Sequence, residues 1–264
     1  MKYYGGCDSG STYTKCVILD ETGKMVADVT LRSRINSVLS AQAALDEAVA
    51  QVPDLKSAKD LAYLVGTGYG RNKVPFADEN ISEISCHAMG VHVADPSVRS
   101  IIDIGGQDVK GIAVDTDGTV LNFAMNDKCA AGTGRFFEAM AKAFEMDLTE
   151  FSKLALRAKN VIPITAQCTV FAESEVISLI GQGEKKENIA FAVVDSIVRK
   201  VAAQANRMSE DRPMLCLTGG LCECSYISEA LTKELGMEVK TDPQSRYAGA
   251  IGAALGAVKK GKKN

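Results

Sequence analysis

Two glycine-containing turns carry residue types that suit phosphate binding. Their residues are Asp8, Gly10, Ser11 and Thr12 in the first turn and Asp103, Gly105, Gly106 and Gln107 in the second. Glycine lets the backbone approach an anion closely, so that successive N–H groups can point at phosphate oxygens. A carboxylate in the same place repels phosphate unless a divalent cation, or a water to be activated, lies between them. The pair therefore predicts a nucleoside triphosphate gripped from both sides, although either turn alone fits an ordinary hairpin turn better.

The two turns belong to an internal repeat, because the chain matches itself at one constant offset. The coinciding positions are Asp8, Gly10, Lys15, Asp20 and Gly23 over Asp103, Gly105, Lys110, Asp115 and Gly118. Short β-branched runs bounded by aspartate and glycine predict hairpin strands. Each copy is predicted as three strands, over residues 3–7, 14–19 and 25–31 in the first and residues 100–104, 109–114 and 120–125 in the second.

A further glycine pair suits a nucleoside. Residues 215–220 predict a buried strand that runs into Gly219 and Gly220, where an adenine or ribose could lie flat on the backbone. Residues 248–257 are almost all alanine and glycine, which predicts a helix that packs unusually close to a neighbour. The remaining predicted elements are helices over residues 42–51, 134–144 and 225–235 and strands over residues 61–65 and 237–240.

Composition limits the class of protein. The 264 residues are 46% hydrophobic and 24% charged, with a formal net charge of −3. These values exclude a disordered or fibrous chain and leave no electrostatic footprint for nucleic acid. The start of the chain lacks the apolar segment of a signal peptide, and no apolar run reaches the ~18–20 residues of a membrane span. We therefore expect a soluble, cytoplasmic protein whose eight cysteines are reduced.

The order of these motifs resembles the ATPase core shared by actin, the Hsp70 chaperones, and acetate and sugar kinases. Longer segments, over residues 66–71, 84–90, 101–110, 125–136 and 168–178, are similar to the activator ATPases of 2-hydroxyacyl-CoA dehydratases and to the related subunits of benzoyl-CoA reductase. The likeness covers essentially the whole chain. It implies an α/β fold of two lobes with a duplicated β-β-β-α-β-α core. We expect one lobe over residues 1–96 and the other over residues 97–264, and the lobe on which the final helix packs stays open.

The resemblance implies a homodimer with one 4Fe-4S cluster on its two-fold axis. Matched by motif, Cys129 and Cys168 of each subunit are the ligands, and two subunits together supply the four thiolates that such a cluster needs. Cys129 also precedes the helix predicted over residues 134–144, whose N-terminal end favours an anionic, reduced cluster. Without the resemblance, an isolated cytosolic cysteine is more often a buried apolar group than a metal ligand. Cys222 and Cys224 are interpreted as incidental.

The resemblance also implies roles in an ATP site. Asp8 and Asp103 would hold hydrated Mg²⁺, and Asp103 or Glu175 would orient the attacking water. The phosphates of ATP or ADP would contact Gly10, Ser11, Thr12, Tyr13, Thr14, Lys15, Gly105, Gly106 and Gln107, and the nucleoside would lie near Gly219, Gly220 and Arg246. Two alternatives stay open. Glu175 with Glu173 fits a helix N-terminal charge pair equally well, and Lys15 fits an exposed strand lysine.

These features together predict an ATP-driven electron donor. Ferredoxin or flavodoxin would load one electron, and ATP hydrolysis would drive it to a low-potential iron–sulfur enzyme of the 2-hydroxyacyl-CoA dehydratase or benzoyl-CoA reductase type. ATP is needed because every ~59 mV uphill costs a one-electron step a tenfold equilibrium factor. The alternatives are a small-molecule kinase of the same fold and a nucleotide-dependent regulatory module without redox chemistry, neither of which would carry iron.

Overall fold

The chain contains both strands and helices, several of them in consecutive runs of one kind. A computed structural model describes residues 1–70, 74–126, 132–164, 168–207 and 214–262. Its strands are β1 (Tyr3–Ser9), β2 (Tyr13–Asp20), β3 (Met25–Arg32), β4 (Tyr63–Thr67), β5 (Glu79–Asn80), β6 (Ser100–Ile104), β7 (Val109–Val114), β8 (Val120–Asn126), β9 (Leu215–Gly219) and β10 (Val239–Lys240). Its helices are α1 (Ser37–Ala50), α2 (Glu83–Ala94), α3 (Gly134–Ala143), α4 (Leu148–Ala155), α5 (Thr169–Gly181), α6 (Lys186–Asn206), α7 (Ser225–Leu235) and α8 (Ala248–Gly261).

These elements form two compact units, each with its own hydrophobic core. The first unit comprises Met1–Ile101, Ile112–Phe123 and Gln244–Asn264, and the second comprises Ile102–Gly111 and Ala124–Pro243. A boundary between two lobes at residue 96 stays a prediction.

The first sheet has the strand order β3-β2-β1-β4-β5. β1 pairs antiparallel with β2, from Tyr3 opposite Asp20 to Ser9 opposite Thr14, and it pairs parallel with β4. The three strands predicted for the first copy of the repeat are confirmed, each extending slightly beyond its predicted bounds. This register places Asp8 directly opposite Lys15 at the loop end of the hairpin.

Successive residues of β1 face opposite sides of this sheet. Tyr3 and Cys7 join the core that α1 covers, whereas Tyr4 packs with residues of α8. Gly6 faces α8, because an added Cβ would collide with the backbone of Ala250 and Ala254. The strand thus supplies core side chains on one face and room for a helix on the other.

Helix α1 begins at an asparagine cap. The Asn36 side chain accepts hydrogen bonds from the N–H groups of Val38 and Leu39, which lack partners within the helix. Buried residues recur at helical spacing, namely Ala41, Ala44, Leu45 and Ala48. The helix starts at Ser37, earlier than the predicted start at residue 42, because Asn36 caps the N–H groups of its first turn.

Helix α8 packs against β1 and α2 within the first unit. Added Cβ atoms at Gly90 and Gly252 would collide with the carbonyl oxygens of Ala248 and Cys86. The two helices therefore meet backbone to backbone, and the close packing predicted for the alanine and glycine helix is confirmed. The sequence left open the lobe on which this helix packs, and the structure places the helix against the first sheet.

The second sheet has the strand order β10-β9-β6-β7-β8, with β10 parallel to β9. The core of the second unit contains the fully buried rings of Phe136, Phe137 and Phe151. Phe151 packs edge-on against two neighbours, with ring centroids 5.5 Å from Phe137 and 5.1 Å from Phe144. This aromatic cluster lies under α3 and α4, so it stabilises the helix that follows the second glycine turn.

The predicted β-β-β-α-β-α duplication is confirmed. It runs as β1, β2, β3, α1, β4 and α2 in the first copy and as β6, β7, β8, α3, β9 and α7 in the second. The second copy carries α4, α5 and α6 between α3 and β9. Among the residues that the structure describes, no helix is both long enough and apolar enough to cross a membrane.

The turn between β2 and β3 provides a testable pH dependence. The Asp20 carboxylate accepts hydrogen bonds from the Thr22 hydroxyl at 2.6 Å, Thr22 N–H at 2.8 Å and Lys24 N–H at 3.0 Å. These bonds, that of the Thr22 hydroxyl foremost, hold the pKa of Asp20 below its ordinary value of 3.8. Because the folded pKa is the lower one, the stabilisation is complete above the unfolded pKa and is lost as pH falls through the folded pKa.

Asp20→Asn is therefore expected to unfold more easily than the parent chain at neutral pH, with the difference shrinking toward zero in acid. Urea denaturation of both proteins over a pH series measures it. A difference in the free energy of unfolding that stays constant with pH would contradict the charge-based account of this turn.

Candidate functional site

The first glycine turn follows β1 and is centred on Asp8. Asp8 and Lys15 are both buried, and the Lys15 Nζ lies 3.5 Å from the Asp8 Oδ2. The antiparallel register sets this pair, since the two residues lie directly opposite each other at the loop end of β1 and β2. Lys15 is thus a buried cation beside the aspartate and not an exposed strand lysine.

Three oxygens of this turn are buried without a hydrogen-bond partner among the described residues. They are Asp8 Oδ1, Ser9 Oγ and Thr12 Oγ1. A buried oxygen left without a partner costs about 1–3 kcal/mol, and more when the group is charged. Native proteins rarely leave such groups unsatisfied. The turn is therefore prepared for a polar ligand or cation that supplies the missing contacts.

Glycines let the backbone of other elements come close to Asp8. A Cβ at Gly68, which has a φ of +92°, would collide with Asp8 Oδ1, and a Cβ at Gly249 would lie 3.0 Å from Asp8 Oδ2 and 2.9 Å from His87 Nε2. The Gly70 N–H donates to the Ser9 carbonyl oxygen at 2.8 Å. The carboxylate is thus enclosed by backbone from β1, the loop after β4 and the start of α8, all in the first unit.

The remaining predicted residues of this turn have different surroundings. The Gly10 N–H donates to the Asp8 carbonyl oxygen at 3.1 Å, and Ser11 and Tyr13 are half-buried. Thr14 lies on the face of the sheet opposite Lys15, where its hydroxyl lies 2.9 Å from the Ser33 hydroxyl, which in turn donates to the Gly10 carbonyl oxygen at 2.8 Å. Thr14 therefore supports the turn through Ser33, from the face of the sheet opposite Lys15.

The second glycine turn follows β6 and contains a buried ion-pair cluster. The Lys110 Nζ lies 3.1 Å from Asp103 Oδ2 and 2.8 Å from Asp108 Oδ1. The Thr218 hydroxyl donates to Asp103 Oδ1 at 2.9 Å. All four residues are buried. In contrast to Asp8, Asp103 has both carboxylate oxygens bonded within the second unit, so its position is set before any ligand arrives.

The peptide groups of this turn hold the start of α3. Gly105 N–H donates to the Asp108 carbonyl oxygen at 2.9 Å, which closes the turn. The carbonyl oxygens of Gly105 and Gly106 accept from the N–H groups of Gly134 and Arg135, at 2.9 and 3.0 Å. Gly105, Gly106 and Gln107 are all half-buried. The turn and the helix N-terminus thus form one hydrogen-bonded assembly.

Gly220, the residue after β9, borders a cavity of about 190 Å³. Gly219 has a φ of +88°, and a Cβ there would lie 2.9 Å from Asp103 Oδ1 and would collide with the Ile104 carbonyl oxygen. Gly220 is exposed and lines the cavity, together with residues of α3, α4 and the start of α7 that include Lys153, Glu223 and Tyr226. Burial raises the pKa of the Tyr226 hydroxyl. This cavity has the apolar wall and polar rim that a planar base requires.

Arg246, predicted near the nucleoside, belongs to the first unit. It lies in a single 3₁₀ turn before α8, with its guanidinium carbon 5.7 Å from the centroid of the Tyr247 ring. Glu175 is half-buried on α5 and Glu173 is exposed on the same helix.

Of the two predicted cluster cysteines, Cys168 is exposed and directly precedes α5. Cys129 lies outside the described residues. Val170, Phe171 and Ile177 of α5 are also exposed, at 66%, 69% and 57%, so the cysteine adjoins apolar surface. Cys7, Cys16 and Cys216, which lie on strands, are all buried.

Sequence reasoning missed several residues of the site. Ser9 and Gly68 line the first turn, and Asp108, Lys110 and Thr218 hold Asp103. The repeat contained one usable signal, since Lys110 occupies the position that Lys15 has in the first copy and each lysine pairs with the aspartate of its own turn. Thr218 carried no local signal, because it reaches Asp103 only through the pairing of β9 with β6.

Comparison with known proteins shows the family of the chain. The chain matches the model of the BadF/BadG/BcrA/BcrD ATPase family over residues 6–257. It is 42% identical over 262 residues to the (R)-2-hydroxyglutaryl-CoA dehydratase activating ATPase of Acidaminococcus fermentans, with 99% of each chain covered. It is 42% identical over 253 residues to the activator of lactoyl-CoA dehydratase of Anaerotignum propionicum, with 96% of each chain covered.

A solved structure gives the same result for the fold. The activator of the 2-hydroxyisocaproyl-CoA dehydratase from Clostridium difficile, with bound ADPNP, matches with a TM-score of 0.92 and 39% identity, covering 99% of this chain and 96% of that one. The fold is that of the actin, Hsp70 and sugar-kinase-like ATPases. The resemblance that the sequence motifs predicted is confirmed.

Proposed function

Because this chain belongs to the BadF/BadG/BcrA/BcrD ATPase family, we propose that it is an ATP-dependent activator of a 2-hydroxyacyl-CoA dehydratase or of a benzoyl-CoA reductase-type enzyme. Cys129 and Cys168 of two copies of the chain would hold one 4Fe-4S cluster, which would supply one-electron transfer, driven by ATP hydrolysis, to the partner iron–sulfur enzyme. Ferredoxin or flavodoxin is the electron source. The observation that carries the nucleotide part is the set of buried, unpartnered oxygens at Asp8, Ser9 and Thr12.

The first turn fits a magnesium nucleotide. Asp8 would hold hydrated Mg²⁺ through its unpartnered Oδ1, while its Oδ2 stays near the Lys15 ammonium. Hydroxyl and N–H groups of the turn would contact the phosphates, those of Gly10, Ser11 and Thr12 directly. Lys15 would add positive charge, and Tyr13 and Thr14 would hold the turn in shape. Magnesium supplies charge neutralisation at the phosphates.

The second turn would act from a prearranged position. Lys110 and Thr218 hold the Asp103 carboxylate, so Asp103 can contact a magnesium-bound water or orient the attacking one without moving. Gly105, Gly106 and Gln107 would contact phosphate oxygens. Glu175 is the second candidate for orienting the water.

The nucleoside is proposed to occupy the cavity beside the glycine pair. Gly220 leaves the backbone open to a flat ring, and Lys153 and Glu223 offer a cation and a carboxylate beside it. Gly219 and Arg246 stay proposed contacts of the nucleoside.

The exposed Cys168 fits a cluster shared between two chains. A buried thiol could not reach a partner subunit, whereas Cys168 is exposed and begins a helix whose N-terminal end favours negative charge. With Cys129, it would give each subunit two of the four required thiolates. When bound, the cluster supplies one-electron transfer. The exposed apolar residues of α5 support a protein neighbour at this surface.

Thr218 provides a test of the prearranged aspartate. Thr218→Val removes the hydrogen bond to Asp103 and is expected to lower the rate of ATP hydrolysis about tenfold, because a bond to a charged group is worth roughly 1.5–3 kcal/mol. Thr218→Ser keeps the hydroxyl and should keep the rate. Steady-state ATPase kinetics measure both variants, and an unchanged kcat in Thr218→Val would contradict the positioning role.

The function itself is tested on protein purified without oxygen. We expect iron and acid-labile sulfide, a broad absorbance near ~400 nm, ATP hydrolysis, and ATP-dependent reduction of a 2-hydroxyacyl-CoA dehydratase by reduced ferredoxin. Colourless, iron-free protein that hydrolyses ATP would refute the electron-donor proposal. Phosphorylation of a sugar or carboxylate by such protein would instead support a kinase.

A further inference from the structure

Cys7 and Cys16 form a buried pair beneath the first turn. They lie directly opposite each other on the antiparallel strands β1 and β2, and both are fully buried. Their thiols are hydrogen-bonded to each other. Directly opposed residues of an antiparallel pair have Cα atoms about 4.5–5.5 Å apart, within the roughly 4.4–6.8 Å that disulfides span. The register therefore places the two Cα atoms within the range that a disulfide spans.

The pair adjoins the residues that carry the first turn. Cys7 precedes Asp8 in β1, and Cys16 follows Lys15 in β2, so the next pair in the register is Asp8 opposite Lys15. The cysteines face the α1 side of the sheet and the aspartate faces the α8 side. A covalent link on one face thus acts on the backbone that positions the carboxylate on the other.

We propose that Cys7 and Cys16 form a reversible disulfide that weakens nucleotide binding at the first turn, a proposal whose ligand rests on the function proposed above. The oxidant is a peroxide. One S–S bond forms, the two thiols lose two protons and two electrons, and the O–O bond of hydrogen peroxide breaks to give two waters. A dithiol reductant restores the thiols by exchange.

The bond weakens binding because it draws the strands together. Opposed side chains in a sheet have Cβ atoms about 4.5–5.5 Å apart, whereas a disulfide holds them at about 3.8 Å. This shortening of the Cβ–Cβ distance occurs one residue away from Asp8 and Lys15. The residues of a binding site must keep their positions to within about 0.5 Å. The disulfide therefore displaces Asp8 Oδ1 and the hydroxyls of Ser9 and Thr12 from the positions that bind the nucleotide.

Reactivity is limited by access. The hydrogen bond with Cys7, followed by burial, raises the pKa of the Cys16 thiol well above its ordinary value, so this thiol stays protonated in the closed protein. Thiolate is the reactive form. Oxidation therefore proceeds through local opening of the α1 face, and the strain of the contracted pair makes the bond easy to reduce.

The test uses anoxically purified, full-length protein treated with hydrogen peroxide, then alkylated and digested without reductant. Mass spectrometry should find one peptide pair joined through Cys7 and Cys16, lighter by two hydrogens, and dithiothreitol should separate it. Titration with ADPNP should show affinity at least about tenfold weaker after peroxide, with recovery after dithiothreitol. Cys7→Ala should bind ADPNP alike before and after peroxide.

The control variant is Cys86→Ala, which removes another fully buried cysteine of the first unit and should keep the peroxide response. Because Cys7→Ala retains every other cysteine, a peroxide effect equal in that variant and in the parent would overturn the proposal. Absence of the joined peptides, or joined peptides with unchanged affinity, would also overturn it. Reduced protein that binds no ADPNP would refute the proposed function instead, while the joined peptides would still decide whether the disulfide forms.

Discussion

Cys168→Ser is expected to abolish the absorbance near ~400 nm and to reduce bound iron and sulfide to background, since a 4Fe-4S cluster needs four thiolates and a cluster shared by two subunits would lose two of its ligands at once. Electron transfer to the partner enzyme should disappear with the cluster. Binding of ADPNP should persist, because Cys168 is not among the residues proposed to contact the nucleotide. Iron analysis, visible spectroscopy and ADPNP titration of anoxic protein measure these effects.

Cys224→Ser is the matched control. Cys168 and Cys224 both occupy the position before a helix, and neither side chain caps it. Serine is a better N-cap, so both variants should remain folded, with helix stability unchanged or raised by up to about 1 kcal/mol. Loss of iron in Cys168→Ser alone therefore reports ligation. Full iron content in Cys168→Ser would exclude Cys168 as a ligand.

Lys110→Met is expected to lower the free energy of unfolding by about 3–5 kcal/mol, the cost of leaving buried charge uncompensated. The ammonium of Lys110 lies within 3.1 Å of Asp103 and 2.8 Å of Asp108, and its side chain is 1% exposed. Removing it leaves two buried carboxylates facing each other. Urea denaturation of the variant and the parent chain measures the loss.

The repeat supplies the comparison for this variant. Lys15→Met removes the corresponding lysine of the first turn, which has one carboxylate at 3.5 Å and a side chain that is 11% exposed, so its loss of stability should be clearly smaller. Adding Asp108→Asn to Lys110→Met should recover part of the loss, because it removes one of the uncompensated charges. Equal losses in the two lysine variants, or no recovery in the double variant, would contradict the buried-charge account.

The hairpins of both repeats could be predicted because their signals are local. Aspartate and glycine mark the turns at Asp20 to Gly23 and at Asp115 to Gly118, and they bound short β-branched runs that are typical of strands. Helix α7 was predicted with the bounds that it has, since polar turn residues precede it and Gly236, in a left-handed conformation, ends it. Such boundaries need no knowledge of the remaining chain.

The contacts that make the site depend on tertiary pairing, and these could not be predicted. Thr218 meets Asp103 only because β9 lies beside β6 in the sheet. The burial of the unpartnered Asp8 Oδ1 depends on the loop after β4, where Gly68 lets the backbone come close to the carboxylate. The sequence contains these residues, but their separation along the chain carries no information about which of them meet.

The anchoring of α3 has a mechanical consequence. The first two amides of the helix are committed to the carbonyl oxygens of Gly105 and Gly106, and its buried phenylalanines clamp it to the core of its unit. A shift of the turn is therefore expected to move Thr133, the residue directly before the helix, by a comparable distance. The second glycine turn and the N-terminus of α3 are therefore expected to move together as one rigid body.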